Sequence, residues 1–210
     1  MATVQVMWVA PGAKANGLSA DVDGLWVCDQ VDNRVFKISY SNGQVLTWFY
    51  SPARNMSGIG FGGGAVWAAA NVTPSTIYKH NPFTGHCLQP LVLPIGETHG
   101  GVHGIEWHEG FLWATRPGNF SIQKVDTETG QLLHEIPFPA RRSHGLYFEG
   151  DTLVCVETNN HVVYRLDVRD GKVLDQYTID GFEPHGMTKG PDGRIWLCDA
   201  GTNRIGVVQL

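Results

Sequence analysis

The sequence predicts an all-β fold: a five-bladed β-propeller of four-stranded antiparallel blades, its ring closed by the N-terminal strand completing the last blade. Three observations carry that prediction. The pairs His103-Gly104, His144-Gly145 and His185-Gly186 recur in steps of 41 residues, and a repeat of that length marks stacked copies of one supersecondary unit. The chain holds 26 glycines, 11 prolines and 7 tryptophans with only 17% charged residues, which suits a turn-rich β protein better than a helical bundle. The last repeat lacks one strand-like run while an extra run stands ahead of the first, and joining the two leaves no long open edge.

Taken in order, the elements agree. The extra run spans residues 3–10 and ends before Pro11. Alignment on the His-Gly pairs puts Asn16-Gly17 and Ser57-Gly58 in the same slot, so blades start near residues 16, 57, 103, 144 and 185 of a single domain, 1–210. A first apolar run in each blade meets a turn: Asp23-Gly24, Gly62-Gly63-Gly64, Glu109-Gly110, Glu149-Gly150-Asp151 or Asp192-Gly193. Such residues tolerate the positive φ of tight hairpins. The second run carries one large side chain at a fixed place, Trp26, Trp67, Trp113, Val154 or Trp196, which predicts packing between blades. Third runs such as Arg34-Val35-Phe36-Lys37-Ile38 alternate polar and apolar residues, the pattern of a half-buried strand. Turns at Asn42-Gly43, Thr84-Gly85, Thr129-Gly130 and Asp170-Gly171 lead into fourth runs at 44–50, 88–93, 131–138 and 172–179. The fifth blade stops at Leu210 without one.

Composition narrows the function. A net charge of −5 with no basic stripe excludes a nucleic-acid partner. The N-terminus has no positively charged stretch before an apolar run, and no segment approaches the roughly 18 apolar residues of a membrane span, so the expectation is a cytoplasmic protein with no membrane partner. Cys28, Cys87, Cys155 and Cys198 form no Cys-x-x-Cys pair and read as buried free thiols.

First strands line the axis of a propeller, so Asn16, Ser57, His103, His144 and His185 form one ring. The ends of the second strands return to the same face and form another: Asp29, Ala70, Arg116, Glu157 and Asp199. Both open on one funnel, the usual ligand site of such folds. Three imidazoles beside three carboxylates suit a divalent metal ion. A transition metal would sit on His103, His144 and His185 with Asp199 beside it, or Mg²⁺ would sit on the carboxylates with one neutral histidine as general base. His99 is a candidate further ligand; Arg116, with Arg141 and Arg142, is a candidate holder of an anionic substrate group, and Asp29 and Asn16 complete a substrate-binding rim. Asp29 and Asp199 have a second reading, as caps of the loops after their strands.

The segment Pro184-His185-Gly186-Met187-Thr188, followed by Pro191-Asp192-Gly193-Arg194-Ile195-Trp196-Leu197-Cys198-Asp199 and Asn203-Arg204-Ile205-Gly206, resembles the virginiamycin B lyase (streptogramin lyase) family. The blade pattern is also similar to that of NHL-type, gluconolactonase-like and glutamine cyclotransferase-like propellers. The lyase resemblance implies a histidine base opening an inner strand, here His185 or His144, and a metal-holding carboxylate ending the next strand, here Glu157 or Asp199. The expected function is that of a small metal-dependent lyase or hydrolase acting on a small polar molecule in the funnel. The alternative is a non-catalytic propeller recognising a glycan, peptide or protein, for which Trp48, Tyr50 and Trp107 are candidate contacts.

Overall fold

The computed structural model describes residues 1–94 and 101–210; His99 lies outside the described residues. β1 (Ala2–Val9) is followed by five repeated units. The first comprises β2 (Ala15–Ala20), β3 (Gly24–Asp29), β4 (Arg34–Ser39) and β5 (Val45–Tyr50). The second comprises β6 (Gly58–Gly62), β7 (Ala65–Ala69), β8 (Thr76–His80) and β9 (Cys87–Val92). The third comprises β10 (Ile105–His108), β11 (Phe111–Arg116), β12 (Ser121–Asp126) and β13 (Leu132–Pro137). The fourth comprises β14 (Ser143–Glu149), β15 (Thr152–Glu157), β16 (Val162–Asp167) and β17 (Val173–Asp180). The fifth has β18 (Pro184–Lys189), β19 (Ile195–Asp199) and β20 (Arg204–Val208). Each unit is an antiparallel meander, and β1 supplies the missing fourth strand by pairing antiparallel with β20, from Val4 opposite Val208 to Val9 opposite Arg204. No helix among the described residues is long and apolar enough to cross a membrane.

The turns obey their residue types. Gly43, Gly85, Gly130 and Gly171 all have φ between +70° and +75°, a conformation that only glycine adopts freely. One expectation is modified: the last two units are not separate four-stranded sheets but one sheet of eight strands. β1 has 8 residues and β20 only 5, so the start of β1 overruns its partner and pairs parallel with the open edge of β17, Ala2 opposite Ile179 and Thr3 opposite Asp180.

The core is divided among the seams between units. Trp26 packs with Met56, Ile59 and Val66 of the second unit. Trp67 packs with Val102, Ile105 and Leu112 of the third, and Trp113 with Leu146 and Leu153 of the fourth. Val154 meets Met187 and Ile195 of the fifth, and Trp196 returns to Leu18 and Leu25 of the first. Each fully buried side chain of this size contributes about 1.5–3 kcal/mol. Trp8 stacks on Trp196 at 5.1 Å, fastening β1 onto the fifth unit.

The inner strands meet at backbone contact, and the glycine of each His-Gly slot is the reason. A methyl group on Gly17 would lie 2.9 Å from the Ser57 carbonyl, and one on Gly58 2.8 Å from the His103 carbonyl. On Gly104 it would strike the His144 carbonyl, on Gly145 the Met187 amide, and on Gly186 the Leu18 amide. These contacts run from unit to unit and return to their start. The axial space lined by these strands has no room for a water molecule.

Candidate functional site

At the start of the inner strands the side chains turn toward the axis. Pairing irregularities lie at this point between Ala15 and Gly17, Ser143 and Leu146, and Pro184 and Met187, and a bulge of this kind re-aims the side chain it carries. His144 and His185 sit at two of these irregularities and His103 just before β10, and the three imidazoles form an arc of tilted rings, with ring centres of His103 and His144 4.5 Å apart and those of His144 and His185 also 4.5 Å apart.

The hydrogen bonds of this arc determine its proton positions. The Thr158 hydroxyl donates to the Pro184 carbonyl at 2.7 Å, so towards His144 Nδ1, 2.5 Å away, it can only accept. His144 Nδ1 therefore carries the proton, and its Nε2 accepts from His103 Nδ1 at 2.7 Å. His103 Nε2 is left with its lone pair, and the hydrogen bond of this ring among the described residues is the one made by Nδ1. His185 donates from Nδ1 to the Glu183 carbonyl at 3.1 Å, and the Arg142 guanidinium lies 3.4 Å from its Nε2. All three rings are held neutral. Burial is the main cause throughout: it pushes His103 down to about 4, with Arg142 and His185 adding to the effect. Burial lowers His144 well below its ordinary value, with His103, His185, Arg142 and Lys14 acting the same way. His185 is lowered chiefly by burial, against the opposing pull of the Glu183 carbonyl.

The second ring behaves differently from the catalytic and ligand roles read from the sequence. Asp29 accepts from the amides of Ala13, Lys14 and Val31. Glu157 accepts from Arg142 and Asn160, and Asp199 from Glu183, Gly201 and Thr202. Each carboxylate thus clips the turn after its second strand to the segment before its first, using both oxygens. For Asp29 and Asp199 this is the capping reading, and Glu157 shares it. Arg116, 1% exposed, is placed in a buried network instead of an open rim, donating to Gln123 at 2.9 Å and reaching Ser75 of the neighbouring unit at 3.4 Å.

The divalent metal is the expectation the geometry fits least. No group of three His, Cys, Asp or Glu side chains among the described residues is arranged to hold a metal ion. Both nitrogens of His144 are engaged, one lone pair in accepting from His103 and one proton in binding Thr158, while the oxygens of Asp199 and Glu157 serve backbone amides. The residues as placed do not fit a metal.

Lys14, Thr158 and Glu183 are the site residues that sequence reasoning missed. Thr158 carried a signal: it follows Glu157 in a slot held elsewhere by Gln30, Asn71, Pro117 and Ala200, so the fourth unit alone has a hydroxyl there. Of the aromatics, Trp48 and Tyr50 are exposed on β5, edge to face at 5.4 Å, whereas Trp107 lies against Gly62.

Comparison with protein-family models and with curated proteins returned no match. Among solved structures, the glutaminyl cyclase of Myxococcus xanthus superimposes over 99% of this chain and 96% of its own, with a TM-score of 0.79 at 12% identity. The fold is β-propeller-like. The virginiamycin B lyase of Staphylococcus aureus matches 93% of this chain and 66% of its own at 23% identity, TM-score 0.59. A streptogramin B lyase matches 99% and 97% at 16% identity, TM-score 0.59. At these identities the likeness of the propellers concerns the fold.

Proposed function

We propose that residues 1–210 form one five-bladed propeller domain and that it is an enzyme, a lyase or hydrolase, acting on a small polar molecule at the axial rim. The blade count rests on the five inner-strand contacts that return to their start. The catalytic reading rests on one observation: the chain from Pro184 through Thr158 and His144 to His103, which leaves a single oriented lone pair at His103 Nε2. That atom is the general base. It takes a proton from the substrate, and His144 Nε2, accepting from Nδ1, steadies the imidazolium formed. Arg142 stands beside the arc as the cation that stabilises negative charge developing on the substrate. His144 is a positioning residue. No step passes through a metal.

The neighbours' names suggest the first two probes, a glutaminyl peptide and virginiamycin B. With whichever is turned over, His103→Asn is expected to lose about 10²–10⁴-fold in kcat while remaining folded. Full activity in that variant sinks the assignment, and so does a stoichiometric metal in the purified protein whose removal abolishes turnover.

The binding-module reading keeps one observation of its own, the exposed pair Trp48 and Tyr50. Alanine at His103, His144 and His185 together separates the two: binding through that pair survives the change, and axial chemistry does not.

A further inference from the structure

The outer strand of each unit presents a row of backbone donors and acceptors to solvent, and such an edge invites pairing unless something blocks it. One slot of these strands holds Trp48 in β5, Pro90 in β9, Glu135 in β13 and Gln176 in β17, opposite Phe36, Tyr78, Gln123 and Tyr164 in turn. Pro90 removes a donor from its edge and Glu135 sets a charge on its own. β17 bears Asp175 and is already paired at its end with β1, and β1 carries a pairing irregularity between Val6 and Trp8. β5 has none of these blocks. It is an end strand of its sheet, its sequence Val45-Leu46-Thr47-Trp48-Phe49-Tyr50 is β-branched, aromatic and uncharged, and no charged residue occurs in 41–53. The irregularity at Leu46 is shared with β9, β13 and β17 and leaves residues 47–50 in regular register with β4.

That register fixes which backbone groups are free. The Ser51 amide donates to the Asn33 carbonyl at 2.9 Å, so by the alternation of antiparallel pairing Phe49 and Thr47 exchange bonds with β4, and the N–H and C=O of Trp48 and Tyr50 point away from it. Both side chains are exposed as well, Trp48 49% and Tyr50 65%, with their rings edge to face at 5.4 Å.

The occupant this edge fits is a second copy of the chain. At a net charge of −5 two copies repel wherever their charged surfaces meet, but β5 brings no charge, and the cations on β4 behind it are neutralised, Arg34 by Asp32 and Lys37 by Asp21 and Asp23. Two-fold antiparallel pairing about Phe49 sets Trp48 of one copy opposite Tyr50 of the other. It uses the free N–H and C=O groups of both residues and brings the two aromatic pairs together on one face, a favourable cross-strand contact.

We propose that β5 is a dimerisation edge, through which two copies of this chain join antiparallel in that register and merge their two four-stranded sheets into one. The proposal goes beyond the axial site and does not depend on it. One strand edge and four rings lie at the small end of interfaces, below about 1,200 Å², so the association is of micromolar strength or weaker.

Sedimentation equilibrium of the full chain from about 1 μM to about 1 mM brackets an association of that strength. The mean mass is expected to rise from one chain toward two, and amide hydrogen exchange to slow with concentration at Trp48 and Tyr50 but not at Phe49. Tyr50→Pro deletes an N–H that points away from β4; it is expected to hold the protein at one chain mass, with thermal unfolding at low concentration changed little. Trp48→Lys combined with Tyr50→Lys is expected to do the same by setting like charges opposite one another. A mass that stays at one chain throughout, growth past two chains, exchange that slows at neither amide, or a rise in mass that survives both variants overturns the proposal. Should Tyr50→Pro not fold, the lysine pair decides.

Discussion

At the scale of the residue, protonation is the sensitive variable. His103, His144 and His185 are all depressed by burial, so the unfolded chain binds protons more readily than the folded one as pH falls below about 6.5, a window that for His103 reaches down to about 4. The stability they contribute is complete above the unfolded value and lost as pH falls through the folded one. Thermal unfolding is expected to show Tm falling across that window, and His103→Asn is expected to flatten the fall. In activity, the acid limb of kcat/KM reports the free enzyme and should lie near 4; an anion seated on Arg142 cancels one cause of the depression, so the limb of kcat should lie higher. A kcat limb below that of kcat/KM contradicts the placement of Arg142. Glu106 has the opposite sign. Burial raises it to about 8, and its Oε2 has no partner among the described residues, so the folded state holds a proton there that the unfolded state releases above about pH 4.5. Its effect on stability declines as pH rises toward 8, and Glu106→Gln should exceed the unmodified protein in urea resistance at pH 8 while matching it at pH 4. Thr158→Val leaves the Pro184 carbonyl without its donor and His144 Nδ1–H without its acceptor; a loss of about 1–3 kcal/mol is expected. Imidazole ¹⁵N spectra should then show the His144 tautomer no longer held; an unchanged tautomer would remove Thr158 from the chain.

At the scale of the element, the inner strands are built around glycine. Gly145→Ala places a methyl on the Met187 amide, a backbone atom that cannot move without shifting β18, and a loss of about 3 kcal/mol or more is expected in urea unfolding. Gly60→Ala is the control on another inner strand, β6, its nearest contact at 3.5 Å being ordinary packing, and should change stability by no more than about 1 kcal/mol. Equal effects would mean that the axis is looser than its geometry. The repeat register was legible here because strand, turn and glycine all obey local rules: Gly43, Gly85, Gly130 and Gly171 fall at positive φ, where such turns place them. The bulges at Asn16-Gly17, His144-Gly145 and His185-Gly186 were not legible, since an extra residue in one strand shows only against its partner.

At the scale of the whole molecule, β1 joins the two ends of the chain. Deleting residues 2–9 exposes the edge of β20 and the Trp196 face that Trp8 covers, and the truncated chain is expected to aggregate or unfold at a markedly lower temperature. A monomeric truncation with unchanged Tm would show that closure contributes nothing. The strand complement, the pairing of the N-terminal run with the last unit and the packing slot of Trp26, Trp67, Trp113, Val154 and Trp196 were determined by the sequence alone, because hydrophobic period and repeat register are properties of the chain. So was the convergence of His103, His144 and His185, which follows from register. What those histidines bond to was decided only by the tertiary structure. A carboxylate in the slot of Asp29, Glu157 or Asp199 looks the same in sequence whether it faces a metal or an amide, and the amide is supplied by a segment about 15 residues away that folding brings back. Thr158 and the Pro184 carbonyl, 26 residues apart, set the proton positions of the arc through contacts between two neighbouring units, and no local pattern encodes a bond of that kind.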